Sequence, residues 1–105
     1  MIIYKIINTV TNQIYIGSTV CFKQRKKQHI ADLNEKKHHN YLLQRDWFIF
    51  KPENFKFELI EKGFRTKQSL LFREYELINT IKECFYNIDR ICPIIGDKEN
   101  SHLKS

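Results

Sequence analysis

The sequence predicts a small α+β domain in which strands and helices follow one another in the order β-β-α-α-β-α. Short β-branched runs occupy residues 2–7 and 14–17, and an alternating run occupies residues 55–61. Apolar residues recur at helical spacing over residues 20–36 and 67–82. With 105 residues and an apolar fraction of 42%, the chain is expected to fold as a single domain with one small sheet.

The first two strands are predicted from the runs IIYKII and IYIG, which the polar stretch NTVTNQ separates. The segment Gly17-Ser18-Thr19 is expected to end the second strand and to supply hydroxyl N-caps for the first helix, over residues 20–36. Residues at i, i+7, i+8 and i+11 form one apolar face of that helix: Phe22, His29, Ile30 and Leu33.

The second helix, YLLQRDWFIF, is expected to follow Asn40, which can cap it, and to end before Pro52. Its apolar face carries Leu43, Trp47 and Phe50, spaced i, i+4 and i+7.

The third strand is predicted over residues 55–61, FKFELIE, before Gly63. The alternation places Phe55, Phe57 and Leu59 on one half-buried side.

The third helix, over residues 67–82, carries an anomalous carboxylate. Its predicted inward face contains Leu71, Glu74, Tyr75 and Ile78. Because an ionised carboxylate is rarely buried without a partner or a metal, Glu74 is a candidate metal ligand. Pairing with a neighbouring basic side chain is the structural alternative.

The positive charge is concentrated in the first half of the chain. The 18 Lys and Arg against 12 Asp and Glu give a formal charge of +6, of which +5 falls in residues 1–50. Such a basic segment is expected to bind a polyanion such as nucleic acid, although a solvated helix face is the simpler alternative. The lysines in question are Lys23, Lys26, Lys27, Lys36 and Lys37.

Several classes of protein are disfavoured. No run of 18 apolar residues suggests a membrane span, and the N-terminus lacks the features of a signal peptide, so we expect an intracellular protein, in the cytoplasm or the nucleus. Three cysteines without CxxC spacing argue against a disulfide framework, and Cys84, Cys92 and His102 lack the spacing of a zinc site. Residues 93–105 lose periodicity and are expected to form a loose tail.

Six points along the sequence, the last two of them adjacent, match one known family in order, spacing and residue type. In sequence they are Tyr4, Tyr15-Ile16-Gly17, Arg25-xxx-His29, Leu70-xxx-Glu74-xxx-Ile78, Tyr86 and Asn87. This pattern resembles the GIY-YIG endonuclease domain, and the order of IYIGST, NYLLQRDW and FKFELIE is similar to its small viral and homing-endonuclease branch. One difference is that Ile2 stands at the position of the family's leading glycine.

The resemblance implies a nuclease domain over residues 1–92 with a central antiparallel sheet. It also implies Mg²⁺-dependent hydrolysis of DNA at a single metal, with Mn²⁺ as a possible substitute. The implied catalytic residues are Tyr4 as general base beside Tyr15, Arg25 and His29 for phosphate stabilisation and proton relay, Glu74 as metal ligand and Asn87 as a hydrogen-bonding support. Gly17 would let the chain pass close to the substrate, and the five lysines would position the DNA backbone.

Other functions stay open from the sequence. A catalytically silent DNA-binding module would share the fold, and a structure-specific repair or recombination nuclease would share the chemistry. An RNA-directed nuclease is disfavoured because the aromatic residues fall on predicted core faces. The expected partner is duplex or branched DNA. The chain would be a monomer in solution or a dimer on DNA, since one active site cuts one strand. With no DNA-reading module after residue 87, we expect modest sequence preference.

Overall fold

The computed structural model describes residues 1–81, 83, 86 and 87, and the described chain has the predicted order of elements. Its strands and helices are β1 (Ile2–Asn8), β2 (Ile14–Thr19), α1 (Phe22–Asn34), α2 (Tyr41–Phe50), a short 3-10 turn (Pro52–Asn54), β3 (Phe55–Lys62) and α3 (Lys67–Thr80). The predicted tail at residues 93–105 lies outside the described residues, as do Cys84, Cys92, His102 and the end of the predicted domain at residue 92. None of the described helices is long and apolar enough to cross a bilayer.

The three strands form one antiparallel sheet in the order β2-β1-β3, which confirms the α+β class and the antiparallel sheet. Ile3 pairs with Glu61 on β3, whereas Tyr4 pairs with Leu59, so Ile60 is an extra residue at a bulge. The simple alternation predicted for β3 fails there: Leu59 is 46% exposed, while Ile60 is partly buried.

The sheet separates two apolar clusters, because successive side chains of β1 face opposite sides. Tyr4 and Ile6 pack against α1 and α2, together with Leu33, Leu43 and Trp47. On the other side, Ile3, Ile14 and Ile16 pack against α3 through Leu70 and Ile78. The sheet is therefore central, with two helices on one face and one on the other.

The start of α1 differs from the prediction. Ser18 and Thr19 still pair with β1, so β2 runs two residues further than expected and neither residue caps the helix. The N-cap residue is Cys21, and the Thr19 hydroxyl accepts from its backbone N–H at 3.2 Å. The predicted cap at Asn40 is confirmed, since its Oδ1 accepts from the backbone N–H of Leu43 at 3.0 Å.

The inward face of α3 is also shifted. Leu70 and Ile78 are buried, whereas Leu71 and Tyr75, which the periodicity placed inward, are half-buried. Glu74 lies one turn from each buried residue and is itself half-buried, so the anomaly seen in the sequence is real.

Candidate active site

The candidate site is built around the edge strand β2, whose side chains alternate between the two faces of the sheet. Tyr15 and Gly17 face α1, whereas Ile16 and Ser18 face α3. Because β2 is at the edge of the described sheet, groups from both layers can meet beside it. This is how residues from helices on opposite faces reach one site.

Two neighbouring cavities lie along this edge. Arg25 and His29 line one of about 370 Å³, hereafter the Arg25 cavity. Tyr15, Glu74 and Asn87 line the other, of about 320 Å³, hereafter the Glu74 cavity. Five of the six residues that the resemblance implied for catalysis therefore line these two cavities.

Tyr4, the sixth, is connected to the Arg25 cavity by a chain of hydrogen bonds. Its phenolic oxygen lies 2.6 Å from Nε2 of His29, whose Nδ1 lies 2.7 Å from Nε2 of His38. Nδ1 of His38 accepts from the backbone N–H of Asn40 at 3.0 Å. A neutral imidazole carries one N–H, so the bond from Asn40 to Nδ1 assigns the His38 proton to Nε2. Nε2 of His38 then donates to Nδ1 of His29, which assigns the His29 proton to Nε2. His29 therefore donates to Tyr4, and the phenolic proton of Tyr4 is directed elsewhere.

The two histidines of this hydrogen-bonded series, His29 and His38, are held neutral. Burial lowers the pKa of His29 to about 3, and electrostatic interactions with His38 and with the Arg25 guanidinium lower it further. Burial, with His39 close by, lowers the pKa of His38 to about 4. This environment therefore opposes the uptake of a proton by His29 near neutral pH, which the resemblance implied for it.

Burial acts in the opposite direction on the two tyrosines. It raises the pKa of Tyr4 well above its ordinary value, and the proximity of Tyr15 adds to this effect. Burial and the charge of Glu74 raise the pKa of Tyr15 to about 12. The charge of Arg25 lowers both values, so the guanidinium favours the phenolate form.

Glu74 has the features expected of a metal ligand. The Ser18 hydroxyl donates to its Oε1 at 2.8 Å, and burial raises the pKa of the carboxyl group. No ion pair joins Glu74 to a Lys or Arg of the described residues, which removes the structural alternative. A single partly buried carboxylate that lines an open cavity fits Mg²⁺, which keeps several waters and needs one or two carboxylates.

Asn87 supports the site by completing the edge of the sheet. Its Oδ1 accepts from the backbone N–H of Ile16 at 2.7 Å, and its Nδ2 donates to the carbonyl of Ile16 at 2.9 Å. This side-chain amide therefore occupies the place of a neighbouring strand. Asn40 holds the same segment, because its Nδ2 donates to the carbonyl of Tyr86.

Gly17 packs against the Tyr4 side chain. It lies opposite Tyr4 across the β1–β2 pair, and a Cβ atom at Gly17 would come within 2.5 Å of the Tyr4 phenolic oxygen. The absence of a side chain thus makes room for Tyr4.

The structure does not bring the five lysines to the cavities. The wall that α1 contributes to the Arg25 cavity consists of residues at 24, 25, 28, 29 and 32, and the lysines at 23, 26 and 27 fall between these positions. Lys26 lies over the ring of Phe57 at 5.6 Å, and Lys36 over that of Phe48 at 4.8 Å. Lys37 pairs with Glu35 at 2.9 Å.

Three polar residues that support the site were not assigned to it from the sequence. His38 and Asn40 belong to a segment that reads as a polar link, although two histidines directly before an N-cap were a usable signal. Asp46 is almost fully buried and accepts from the Tyr86 hydroxyl at 2.7 Å. Its position on α2 beside Trp47 gave no sign of this, because the partner lies 40 residues away.

Known proteins share this fold and part of the sequence. A segment of 45 residues is 42% identical to intron-associated endonuclease 1 of Enterobacteria phage T4, covering 43% of this chain and 18% of that protein. The chain thus matches less than a fifth of that relative. The catalytic domain of homing endonuclease I-TevI matches with a TM-score of 0.69 and 31% identity, over 73% of this chain and 83% of that domain.

A mutant of the I-TevI catalytic domain gives a TM-score of 0.68 at 31% identity, over 73% of this chain and 78% of the other. The GIY-YIG catalytic domain family matches residues 1–87. This range includes every candidate catalytic residue described above. The chain therefore belongs to the GIY-YIG family of endonuclease catalytic domains.

Proposed function

We propose that this chain is a Mg²⁺-dependent DNA endonuclease domain that hydrolyses one phosphodiester bond at a single metal site. The observation that carries the proposal is the meeting, at the edge of β2, of three groups: a carboxylate with no ion pair among the described residues, an exposed guanidinium, and a buried phenol that a neutral histidine contacts. These belong to Glu74, Arg25, Tyr4 and His29. The relatives named as endonucleases support the same reaction.

Arg25 is suited to hold the phosphate that is cleaved. Its guanidinium is exposed and lines the cavity beside His29, so a phosphoryl group can reach it from solvent. A guanidinium stays protonated and binds two oxygens at once, which matches the charge that develops on a phosphoryl group.

Tyr4 would act as the base that takes a proton from the attacking water. For this it must first lose its own proton, which burial opposes. Two groups act against burial: His29 donates a hydrogen bond to the phenolic oxygen, and the charge of Arg25 favours the phenolate. His29 then serves as a hydrogen-bond donor that stabilises the phenolate rather than as a proton acceptor.

Glu74 would hold the divalent cation, Mg²⁺ with Mn²⁺ as a substitute, and Ser18 would orient its carboxylate. When bound, such a cation neutralises phosphoryl charge and stabilises the departing 3′ oxygen. The other residues of the site act through their own contacts: Asn87 fixes the β2 backbone and Tyr15 lines the cavity beside Glu74.

The substrate would be duplex or branched DNA. Lys23 and Lys27 would contact phosphates away from the cleaved bond, since they lie off the wall of the Arg25 cavity. One active site cuts one strand, so the chain would act as a monomer that nicks or as a dimer on DNA. The domain would extend over residues 1–92 with a tail at 93–105, and activity on DNA implies an intracellular site of action.

A plasmid assay tests the proposal. We expect the purified chain to nick supercoiled plasmid in Mg²⁺ or Mn²⁺ but not in EDTA. Glu74→Gln should slow nicking about 100-fold or more, whereas Glu76→Gln on the exposed side of the same helix should not. Binding of DNA without nicking in any of these metals would instead identify a silent binding module. A panel of linear, nicked, flap and four-way-junction duplexes would then show the preferred form.

Equal rates for Glu74→Gln and Glu76→Gln would show that the metal ligand is assigned wrongly, even if the chain is a nuclease. Arg25→Ala tests in the same assay whether Arg25 holds the cleaved phosphate.

A further inference from the structure

His39 lies at the point where the two cavities meet, because it lines both the Arg25 cavity and the Glu74 cavity. It is exposed, in the segment between α1 and α2. A phosphate that reaches from Arg25 to Glu74 along the edge of β2 must therefore pass beside this imidazole.

The ring of His39 is held in place by its neighbours. It stacks on the ring of His38, with centroids 4.5 Å apart and an angle of 22° between planes. It also meets Tyr15 edge-on at 6.3 Å. His38 is itself fixed by hydrogen bonds to His29 and to the backbone of Asn40. His39 thus rests on a rigid support, which reduces the entropy lost when it binds a ligand.

The ring nitrogens of His39 have no hydrogen-bond partner among the described residues. Ser18, His38 and Asn87, which share the site, all form side-chain hydrogen bonds to other described residues, whereas the His39 ring forms none within that part of the chain. An imidazole carries at least one N–H in either of its common protonation states. Phosphoryl oxygens are strong acceptors, so the chemistry of the free donor matches the substrate of this site.

We propose that His39 is a further substrate-contacting residue, which donates a hydrogen bond from its ring to a non-bridging oxygen of the phosphate that is cleaved. The inference rests on the proposed DNA endonuclease function and deepens it. Arg25 would hold that phosphate from one cavity and His39 from the junction of the two, while Asp32 and Glu74 supply the negative charges of the Arg25 and Glu74 cavities.

Four variants test the contact, with supercoiled plasmid in Mg²⁺ as substrate. His39→Phe keeps the ring that stacks on His38 but has no N–H donor, and we expect about tenfold slower nicking below saturation. His39→Asn places an amide N–H near the position of Nδ1, and His39→Gln near that of Nε2. One of these two should recover most of the lost rate and thereby identify the donating nitrogen. Tyr41→Ala, an exposed neighbour that lines neither cavity, should nick like wild type.

A second readout is the dissociation constant for a short fluorescein-labelled duplex in EDTA, which we expect His39→Phe to raise about tenfold at an unchanged melting temperature. If wild type nicks and His39→Phe matches it in both assays, the contact is refuted while the endonuclease proposal stands. If neither Asn nor Gln improves on Phe, donation from the ring is refuted. If wild type itself does not nick, the endonuclease proposal fails first.

Discussion

The phenolic oxygen of Tyr4 accepts a hydrogen bond from Nε2 of His29 across 2.6 Å. The direction of this bond is set at a distance, because the backbone N–H of Asn40 fixes the proton on His38, and His38 fixes the proton on His29. A buried phenol thus receives a donor instead of an acceptor. The consequence is that deprotonation of Tyr4 is assisted without any charge on the histidines.

The first prediction concerns Tyr4 as base. Tyr4→Phe removes the proton acceptor while it keeps the ring in the core, so nicking at saturating DNA should fall about 10²- to 10⁴-fold. DNA binding should be unchanged. Tyr75→Phe on α3, where the side chain is half-buried and outside the cavities, is the matched control. A fully active Tyr4→Phe protein would assign proton removal to another group, such as free hydroxide.

The second prediction concerns His38 as a positioning residue. His38→Phe keeps an aromatic ring beneath His39 but frees the proton of His29 to move to Nδ1. The maximal nicking rate should fall about tenfold, which corresponds to the loss of one charge-assisted hydrogen bond. KM for DNA should stay within a factor of about two. A change in KM alone would contradict this role.

The third prediction concerns the space that Gly17 leaves for Tyr4. Gly17→Ala should lower the free energy of unfolding by about 1–3 kcal/mol, because a Cβ atom would overlap the phenol. Urea denaturation measures this cost. In a Tyr4→Ala background the same substitution should cost less than 1 kcal/mol, since the overlapping atoms are gone. Equal costs in both backgrounds would show that the strain arises elsewhere.

The fourth prediction concerns acid stability. The folded-state pKa values of His29 and His38, about 3 and about 4, lie below the ordinary value of 6.5. The unfolded chain therefore binds more protons than the folded chain between these values, so stability falls as pH drops from 6.5 towards 3. The slope should approach two protons near pH 5. Free energies of unfolding from urea titrations at several pH values measure it.

Two controls accompany that titration. His38→Phe should reduce the slope by about one proton. The raised pKa of Glu74 acts in the opposite direction, because the folded chain then binds the extra proton. Glu74→Gln should therefore steepen the loss of stability near pH 4 to 5. A flat profile between pH 6.5 and 4 would contradict the neutral histidine chain.

The fifth prediction separates DNA attraction from catalysis. The Lys23→Ala/Lys27→Ala double variant should reduce the salt dependence of DNA binding by about two units of the log–log slope. Its nicking rate at saturating DNA should be unchanged, since neither lysine lines the Arg25 cavity. Arg25→Ala should show the reverse, with a large loss of rate at saturation. Lys67→Ala, at the start of α3, serves as the control for loss of one charge.

Much of the fold could be predicted because its signals are local. The β-branched runs, the cap at Asn40 and the helical spacing of α3 each depend on a few neighbouring residues. The errors occur where local sequence signals compete with hydrogen bonding between strands. Ser18 and Thr19 have the composition of a cap, yet their backbone hydrogen bonds to β1 keep them in the strand. The bulge at Ile60 arises from the register with β1, which no short pattern encodes.

The candidate site shows the same division. The family resemblance made Tyr4, Arg25, His29 and Glu74 candidate site residues, because each matches a motif position in type and order. The supporting residues were not identifiable in this way. The hydrogen bond of His29 to His38 crosses nine residues and that of Asn87 to Ile16 crosses 71, so neither produces a periodic pattern.

The sequence by itself thus determined the order of the elements and the family pattern, and through that resemblance it supplied the candidate site residues. Only the tertiary structure decided the surroundings of those residues. Packing around His29 opposes uptake of a second proton, the backbone of Asn40 sets the direction of the hydrogen bonds, and the helical phase of α1 keeps Lys23 and Lys27 off the cavity wall. Desolvation, proton position and side-chain direction are properties of three-dimensional surroundings, which a linear pattern does not contain.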